Sequence, residues 1–349
     1  MIKLDLFTHH NLQSLNTLAV PAVAGNFVRV QTVDEVKHAL KLANELNLPV
    51  MVLGGGSNVV LPDLYVGLVI HMAISGIELV DDDREFVWLK IGAGENWQQL
   101  VEHCLNFHYW GLENLALIPG TVGAAPMQNI GAYGVELESV FEELNAVERA
   151  SQVEVTFNRE GCEFAYRDSI FKNRLKDNYV ITSVTLRLTK QPRLQWQYPA
   201  LRDALTATEI NPDKITPALV AQTVCNIRRS KLPDPASLPN AGSFFKNPIV
   251  DQALLTNLRQ QFPDLVSYPQ ADGREKIAAA WLIDRAGWKG RESFGVGMHT
   301  EQALVLVNPG QKSGQQVLDF ARQIQDDIQQ KFGIALQIEP VSYLSNTNG

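Results

Sequence analysis

Residues 118–134 read Ile-Pro-Gly-Thr-Val-Gly-Ala-Ala-Pro-Met-Gln-Asn-Ile-Gly-Ala-Tyr-Gly, with four glycines, three alanines and two prolines. Almost nothing in this stretch can build a core, so its purpose lies in its backbone. Glycine removes the Cβ that keeps a ligand away from main-chain N–H groups, and it admits φ > 0 where several N–H groups converge. Bare donors of this kind suit an anionic or carbonyl-rich ligand. A smaller version precedes it, Gly54-Gly55-Gly56-Ser57-Asn58, set between the apolar runs 50–53 and 59–61. Glycine clusters also serve as tight turns. Two clusters in one chain weigh toward binding.

The ligand has to suit an acidic chain. The formal net charge is −8 and the isoelectric point is near 5.4, which argues against a nucleic-acid partner, since a phosphate backbone needs a basic face. An anionic ligand would need cations recruited locally. At 349 residues, 45% of them hydrophobic, the chain can fill two or three domains. No apolar run reaches bilayer length, and Met1-Ile2-Lys3-Leu4-Asp5 lacks the basic-then-apolar order of a secretory leader. A soluble, cytoplasmic protein with no membrane partner is expected. Cys104, Cys162 and Cys225 are far apart and form no metal-binding spacing, so they read as buried thiols in a reducing compartment, with no metal site.

Along the chain, Thr32-Val33-Asp34-Glu35 forms a capping box, and Val33, Val36, Leu40, Ala43 and Leu46 follow at helical spacing. Strands are expected at 50–53, 59–61 and 66–70, giving the order helix, strand, glycine loop, strand. A Rossmann fingerprint needs strand, GxGxxG, then helix, so that site is disfavoured. A strand at 86–91 and a helix bearing Trp97, Leu100, Val101, Cys104 and Leu105 lead to the long glycine stretch. A hairpin is expected over 144–157, and 179–188 alternates Val180, Thr182, Val184, Leu186 and Leu188 as a half-buried strand should. Residues 191–213, with Trp196 and Tyr198, read as a loop near a domain boundary. Thr216-Pro217 starts a helix that ends in Arg228-Arg229-Ser230-Lys231, where cations also match the helix dipole. Helices are further expected over 251–262, 277–286 and 315–332, with strands at 303–307 and 334–338, the last presenting Glu339.

Three side chains are candidates for chemistry. Arg167 lies between aromatics, Ser243 between glycine and phenylalanine, and Glu339 at a strand end. Each also has an ordinary alternative: an ion pair with Asp168, a turn cap, or a surface acid.

Taken together, Gly54-Gly55-Gly56-Ser57-Asn58, the 118–126 loop, Gln128-Asn129-Ile130-Gly131-Ala132-Tyr133-Gly134, Tyr166-Arg167-Asp168-Ser169 and Gly242-Ser243-Phe244-Phe245-Lys246-Asn247-Pro248 resemble the UDP-N-acetylenolpyruvoylglucosamine reductases, the MurB flavoenzymes. The likeness spans nearly the whole chain in the family's order. The connection with Tyr198 resembles the form of the family that has an extra tyrosine loop. The resemblance implies an α+β FAD-binding fold of the vanillyl-alcohol oxidase and p-cresol methylhydroxylase type. Residues 1–72 and 73–214 would be its two subdomains, 215–330 a substrate-binding domain, and 331–349 a segment returning to the active site. It implies non-covalent FAD held by Gly54, Gly55, Gly56, Ser57, Asn58, Pro119, Gly120, Thr121, Gly123, Ala124 and Ala125. Tyr133, Tyr198, Arg228, Lys231, Asn247 and Tyr268 would fall on the substrate side, and Arg167, Ser243 and Glu339 on the catalytic positions.

The implied activity is that of a UDP-N-acetylmuramate dehydrogenase in peptidoglycan precursor synthesis, and so in cell-wall formation, cell shape and division. NADPH is the co-substrate and UDP-N-acetylglucosamine enolpyruvate the small-molecule substrate, which receives hydride from flavin N5 at C3 and a proton at C2. Arg167 would bind the substrate carboxylate, the C-terminal acid would assist there in protonated form, and Ser243 would deliver the proton. A monomer is expected. Two rivals stand beside this reading. An oxidase of the same fold would be reoxidised rapidly by air, and a non-catalytic nucleotide-binding regulator would be colourless.

Overall fold

The computed structural model describes residues 4–270 and 272–344. Residues 1–3 of the leader reading, Ala271 in the Tyr268 motif and residues 345–349 of the returning segment lie outside the described residues. The chain divides into two interleaved compact units. The first holds the segment ending at His10 with Ala24–Gly55 and Val66–Ser230; the second holds Asn11–Val23, Gly56–Tyr65 and the chain from Lys231 onward.

In the first unit, helix α1 (Val33–Glu45) starts as its sequence requires, with Thr32 Oγ1 accepting from Glu35 N at 3.2 Å. The return bond of the expected capping box goes one residue further back, because Glu35 Oε2 accepts from Gln31 N at 2.5 Å. The helix buries Val36, Ala39, Leu40 and Ala43. A four-stranded sheet runs Phe7–Asn11, Val23–Val30, Leu64–Met72, Val50–Leu53. Val50–Leu53 is parallel to Leu64–Met72, with Val50 opposite Leu68. A second sheet is antiparallel throughout, in the order Glu154–Asn158, Phe141–Glu148, Tyr179–Thr189, Phe86–Gly92, Ile77–Asp82.

The expected half-buried strand is its centre, and it is buried on both faces from Val180 to Leu186. Its polar residues are hydrogen-bonded inside: Thr182 Oγ1 donates to Asn145 O at 3.1 Å and Ser183 Oγ to Asn145 Oδ1 at 3.0 Å. Buried hydroxyls paired in this way avoid the desolvation penalty that the alternation rule assumes. Helix α2 (Trp97–Asn106), capped by Asn96, buries Trp97, Leu100, Val101 and Cys104 as expected.

The stretch 191–213, expected as loop, contains helix α3 (Pro199–Thr206), which begins on a proline and buries Leu201 and Leu205. Both leucines join the same core as Val220, Ala221 and Val224 of helix α4 (Pro217–Lys231). The first unit therefore extends to Ser230, beyond residue 214.

The second unit carries a four-stranded sheet in the order Asn240–Ser243, Val305–Val307, Val296–Met298, Glu292–Ser293. A three-stranded sheet runs Ile249–Val250, Glu275–Ile277, Ser267–Pro269. Helices α5 (Gln252–Gln261), α6 (Ala279–Arg285) and α7 (Gly314–Phe332) belong to it. Ile277, expected as the start of a helix, ends a strand instead. Helix α7 has a complete capping box between Ser313 and Gln316 and closes on Gly333 at φ 67°. The closing strand is Val341–Ser342, parallel to Val59–Val60. It does not lie at 334–338, where only Ile338 forms an isolated bridge, to Phe245.

Candidate active site

In the first unit the two glycine loops meet backbone to backbone. A Cβ on Gly54 would run into Thr121 Oγ1, and one on Gly55 would stand 3.0 Å from Gly120 Cα. Gly123 lies equally close to the chain, with a hypothetical Cβ 3.0 Å from Ala93 Cα, and its N–H donates to Ala93 O at 2.9 Å. Trp97 N donates to Gly120 O at 3.1 Å and Val122 N to Glu95 O at 2.9 Å. These bonds pin the start of the long loop to the foot of α2. The N–H groups of Gly54, Gly55, Gly120 and Thr121 have no acceptor among the described residues. Gly55 is exposed and Gly120 is half-buried. Open main-chain donors on two abutting, side-chain-free loops fit a dinucleotide cofactor, since oriented amides attract a diphosphate. Ala124 and Ala125 spend their N–H groups on Thr121 O and Val122 O, so they can border such a ligand but not donate to it.

The triplet continues into the second unit. There a Cβ on Gly56, at φ 61°, would collide with Leu15 O, and Thr17 N donates to Gly56 O at 3.1 Å. Asn58 O accepts from Val341 N at 2.9 Å. This half of the loop is braced by main-chain bonds.

The first unit also groups Arg167, Arg228, Tyr133 and Tyr198. Arg167 sits at φ 54° on the two-residue turn between Ala165 and Asp168. Its Nη2 donates to Gly131 O, and a Cβ on Gly131 would stand 2.8 Å from Nη1. The Tyr133 and Tyr198 rings meet edge to face, with centroids 5.6 Å apart at 82°. Arg228 Nε donates to Leu117 O at 3.2 Å. Burial lowers the Arg228 pKa, as does the charge of Arg167, while Tyr133 and Cys225 oppose the shift. Burial raises the Tyr133 hydroxyl against the pull of Arg228. Arg167 and Arg228 lie close enough for their charges to interact, which raises the local positive potential.

In the second unit Ser243 is exposed, follows Gly242 at φ 68° and pairs with Val305. Asn240 fixes that turn, its Oδ1 accepting from Gly242 N at 2.9 Å. Phe244 and Phe245 beside it are fully buried. Glu339 N donates to Phe244 O at 2.9 Å and Lys246 N to Gln337 O at 2.9 Å. The C-terminal acid is thereby held in antiparallel register along the Ser243 segment. Asn247 Oδ1 accepts from Ala279 N at 2.9 Å and so caps α6, leaving only its amino group for a ligand. Tyr268 is 40% exposed and Lys231 is exposed.

Sequence reasoning missed the polar residues that hold this frame. Asn114 Nδ2 donates to Tyr133 O at 2.9 Å and to Gln195 O at 2.6 Å, tying the two tyrosine segments together. Asn129, which the sequence offers only as part of a motif, is fully buried at φ 45°. Asparagine is enriched in the left-handed region, and its place in a glycine-rich loop is the sequence signal for this role.

Residues 24–155 match the family model described as FAD binding domain. The α+β fold and its open-donor loops thus define a flavoprotein of the FAD-binding class. Residues 234–343 match a second model, the C-terminal domain of UDP-N-acetylenolpyruvoylglucosamine reductase. The protein of that name from Pseudomonas aeruginosa is 48% identical over 98% of this chain and 100% of its own length. The one from Amoebophilus asiaticus is 45% identical over 96% of this chain and 98% of its own. The chain belongs to the UDP-N-acetylenolpyruvoylglucosamine reductase family. The crystal structure of the reductase (MurB) from Thermus caldophilus aligns with 99% of this chain and 100% of that one, with a TM-score of 0.66 at 23% identity, a likeness of fold. Among the described residues no helix is long and apolar enough to cross a membrane.

Proposed function

We propose that this chain reduces UDP-N-acetylglucosamine enolpyruvate to UDP-N-acetylmuramate at the expense of NADPH, with Arg167, Ser243 and Glu339 as its catalytic residues. FAD, when bound, supplies the redox chemistry, taking hydride from NADPH and passing it to the enolpyruvyl group. Gly54, Gly55, Gly120 and Thr121 would hold it through their open N–H groups; Gly56, Ser57, Asn58, Pro119, Gly123, Ala124 and Ala125 would border it. The observation that carries the reading is the grouping of Arg167 and Arg228 with Tyr133 and Tyr198 in a chain of net charge −8.

Reduction drives negative charge onto the substrate carboxylate and the carbon that bears it. Arg167 binds that carboxylate as a fixed cation, and Glu339 donates from its carboxyl to the same group. Removing one preorganised contact of this kind costs about 3 to 4 kcal/mol of barrier. Ser243 holds the proton that C2 receives, a general-acid role whose typical contribution is about 10² to 10⁴ in rate. Arg228, Lys231, Asn247, Tyr268 and the Tyr133–Tyr198 pair take the sugar nucleotide. Residues 1–72 and 73–214 serve the flavin, with 73–214 also lending Arg167, Tyr133 and Tyr198 to the substrate; 215–330 serves the substrate, and 331–349 returns the acid. The enzyme works as a cytoplasmic monomer and needs neither nucleic acid nor membrane.

Ser243→Ala tests the assignment. NADPH should still bleach the flavin, while turnover of the enolpyruvyl substrate drops at least about 100-fold. Equal loss of both half-reactions would refute the proton-donor role. Rapid reoxidation of the reduced protein by air, without the sugar nucleotide, would favour the oxidase reading.

A further inference from the structure

Arg167 occupies a costly backbone position. A non-glycine residue at φ 54° carries strain of about 1 to 3 kcal/mol and persists only where its surroundings over-determine it. Ala165 N donates to Asp168 O at 3.1 Å and Asp168 N to Ala165 O at 3.0 Å, which closes the turn but does not aim it. Aim comes from Asn129. Its Nδ2 donates to Ala165 O at 3.3 Å and to Glu136 Oε2 at 3.1 Å, while its Oδ1 accepts from Glu138 N at 3.0 Å.

Glu136 pairs with Gly131 in the short hairpin Gly131–Ala132 with Val135–Glu136. Gly131 O is the acceptor for Arg167 Nη2. One buried amide therefore holds both the turn that carries the guanidinium and the hairpin on which the guanidinium rests. Ser169 Oγ, donating to Met127 O at 2.7 Å, ties the two segments a second time.

We infer that Asn129 is a positioning residue for Arg167: it sets the guanidinium where the substrate carboxylate binds, without touching substrate itself. The inference rests on the reading that Arg167 takes the carboxylate. Its signature is selectivity. Loss of Asn129 should weaken a ligand that bears the enolpyruvyl carboxylate and spare one that lacks it.

The test is calorimetric titration of the oxidised holoenzyme, with no NADPH present, by UDP-N-acetylglucosamine enolpyruvate and by UDP-N-acetylglucosamine. Asn129→Gly removes the side chain while keeping the left-handed backbone accessible. Asn129→Asp keeps the acceptor for Glu138 N but loses both donors. Each should weaken the enolpyruvyl ligand about tenfold, the loss expected from one misplaced charge-assisted bond, and leave the other ligand within about twofold. Arg167→Gln serves as reference and should lose at least as much selectivity. Equal weakening of both ligands by the Asn129 variants would mark a purely structural role and overturn the inference. So would wild-type selectivity in Asn129→Asp, because the Ala165 contact is then dispensable. If Arg167→Gln loses selectivity and the Asn129 variants keep it, the inference fails and the Arg167 reading stands. If Arg167→Gln keeps it too, both fall.

Discussion

Gly55→Ala separates the two jobs that the glycine loops could have. The new Cβ would stand 3.0 Å from Gly120 Cα and 3.5 Å from Gly120 C, whereas carbon atoms rest at about 3.5 to 4.0 Å. The loops must part by roughly half an ångström or more. Gly120 cannot swing aside, because its carbonyl is held by Trp97 N at 3.1 Å, so the change falls on the relative placement of the open N–H groups. A hydrogen bond to a charged group is worth about 1.5 to 3 kcal/mol, so losing one predicts FAD binding weaker by about 10- to 100-fold. Gly54→Ala is the matched control. Its Cβ meets only the Thr121 hydroxyl at close range, with the next atoms at 3.6 and 3.7 Å, and a hydroxyl can rotate away, so a change within about threefold is expected. The assay is quenching of FAD fluorescence by flavin-stripped protein, with the thermal midpoint of the stripped protein measured alongside. Unchanged FAD affinity in Gly55→Ala, with a lowered midpoint, would show that the loops abut for packing alone.

Two further outcomes concern stability. Burial pushes the Cys104 and Cys162 thiols from an ordinary value of 9.0 up to about 12, with Glu113 adding to the shift at Cys104. Such thiols stay protonated in the folded chain and ionise in the unfolded one, so stability present below about pH 9 is lost as pH rises toward 12. At pH 10 each should cost about 1.4 kcal/mol, and Cys162→Ala should shrink the fall in urea-unfolding free energy between pH 8 and pH 10 by that amount; identical falls would contradict the burial argument. Ser313→Ala removes the acceptor of Gln316 N at the start of α7 and should lower unfolding free energy by about 1 kcal/mol, whereas no change would mean that the cap is idle.

Much of the frame was readable because local chemistry decided it. Thr32 and Asn96 cap the helices they precede, and glycine marks the places where backbones touch. What could not be read depended on distant partners. Read locally, Thr182 and Ser183 demand solvent; Asn145, from a neighbouring strand, supplies their hydrogen bonds instead. Helix α3 offers only Leu201 and Leu205 as an apolar stripe, too little to stand out among Trp196, Tyr198 and Pro199. Ile334, Leu336 and Ile338 alternate like a strand, which puts the expected closing strand too early; Ile334 and Leu336 are buried without a ladder, and pairing begins at Val341. For the candidate site, the motifs supplied the residues, while the supports of Arg167 and Tyr133, Asn129 and Asn114, emerged only from three-dimensional neighbourhood.

The parallel pair between Val59–Val60 and Val341–Ser342 joins positions 282 residues apart, 341 minus 59. Closing so long a stretch costs roughly 5 kcal/mol of chain entropy, and during synthesis it has to wait until nearly the whole chain has left the ribosome. Until then, residues 56–58 lack the brace that Val341 N gives to Asn58 O. The brace on the segment proposed to border the flavin is therefore among the last parts of the fold to be completed, after translation rather than during it.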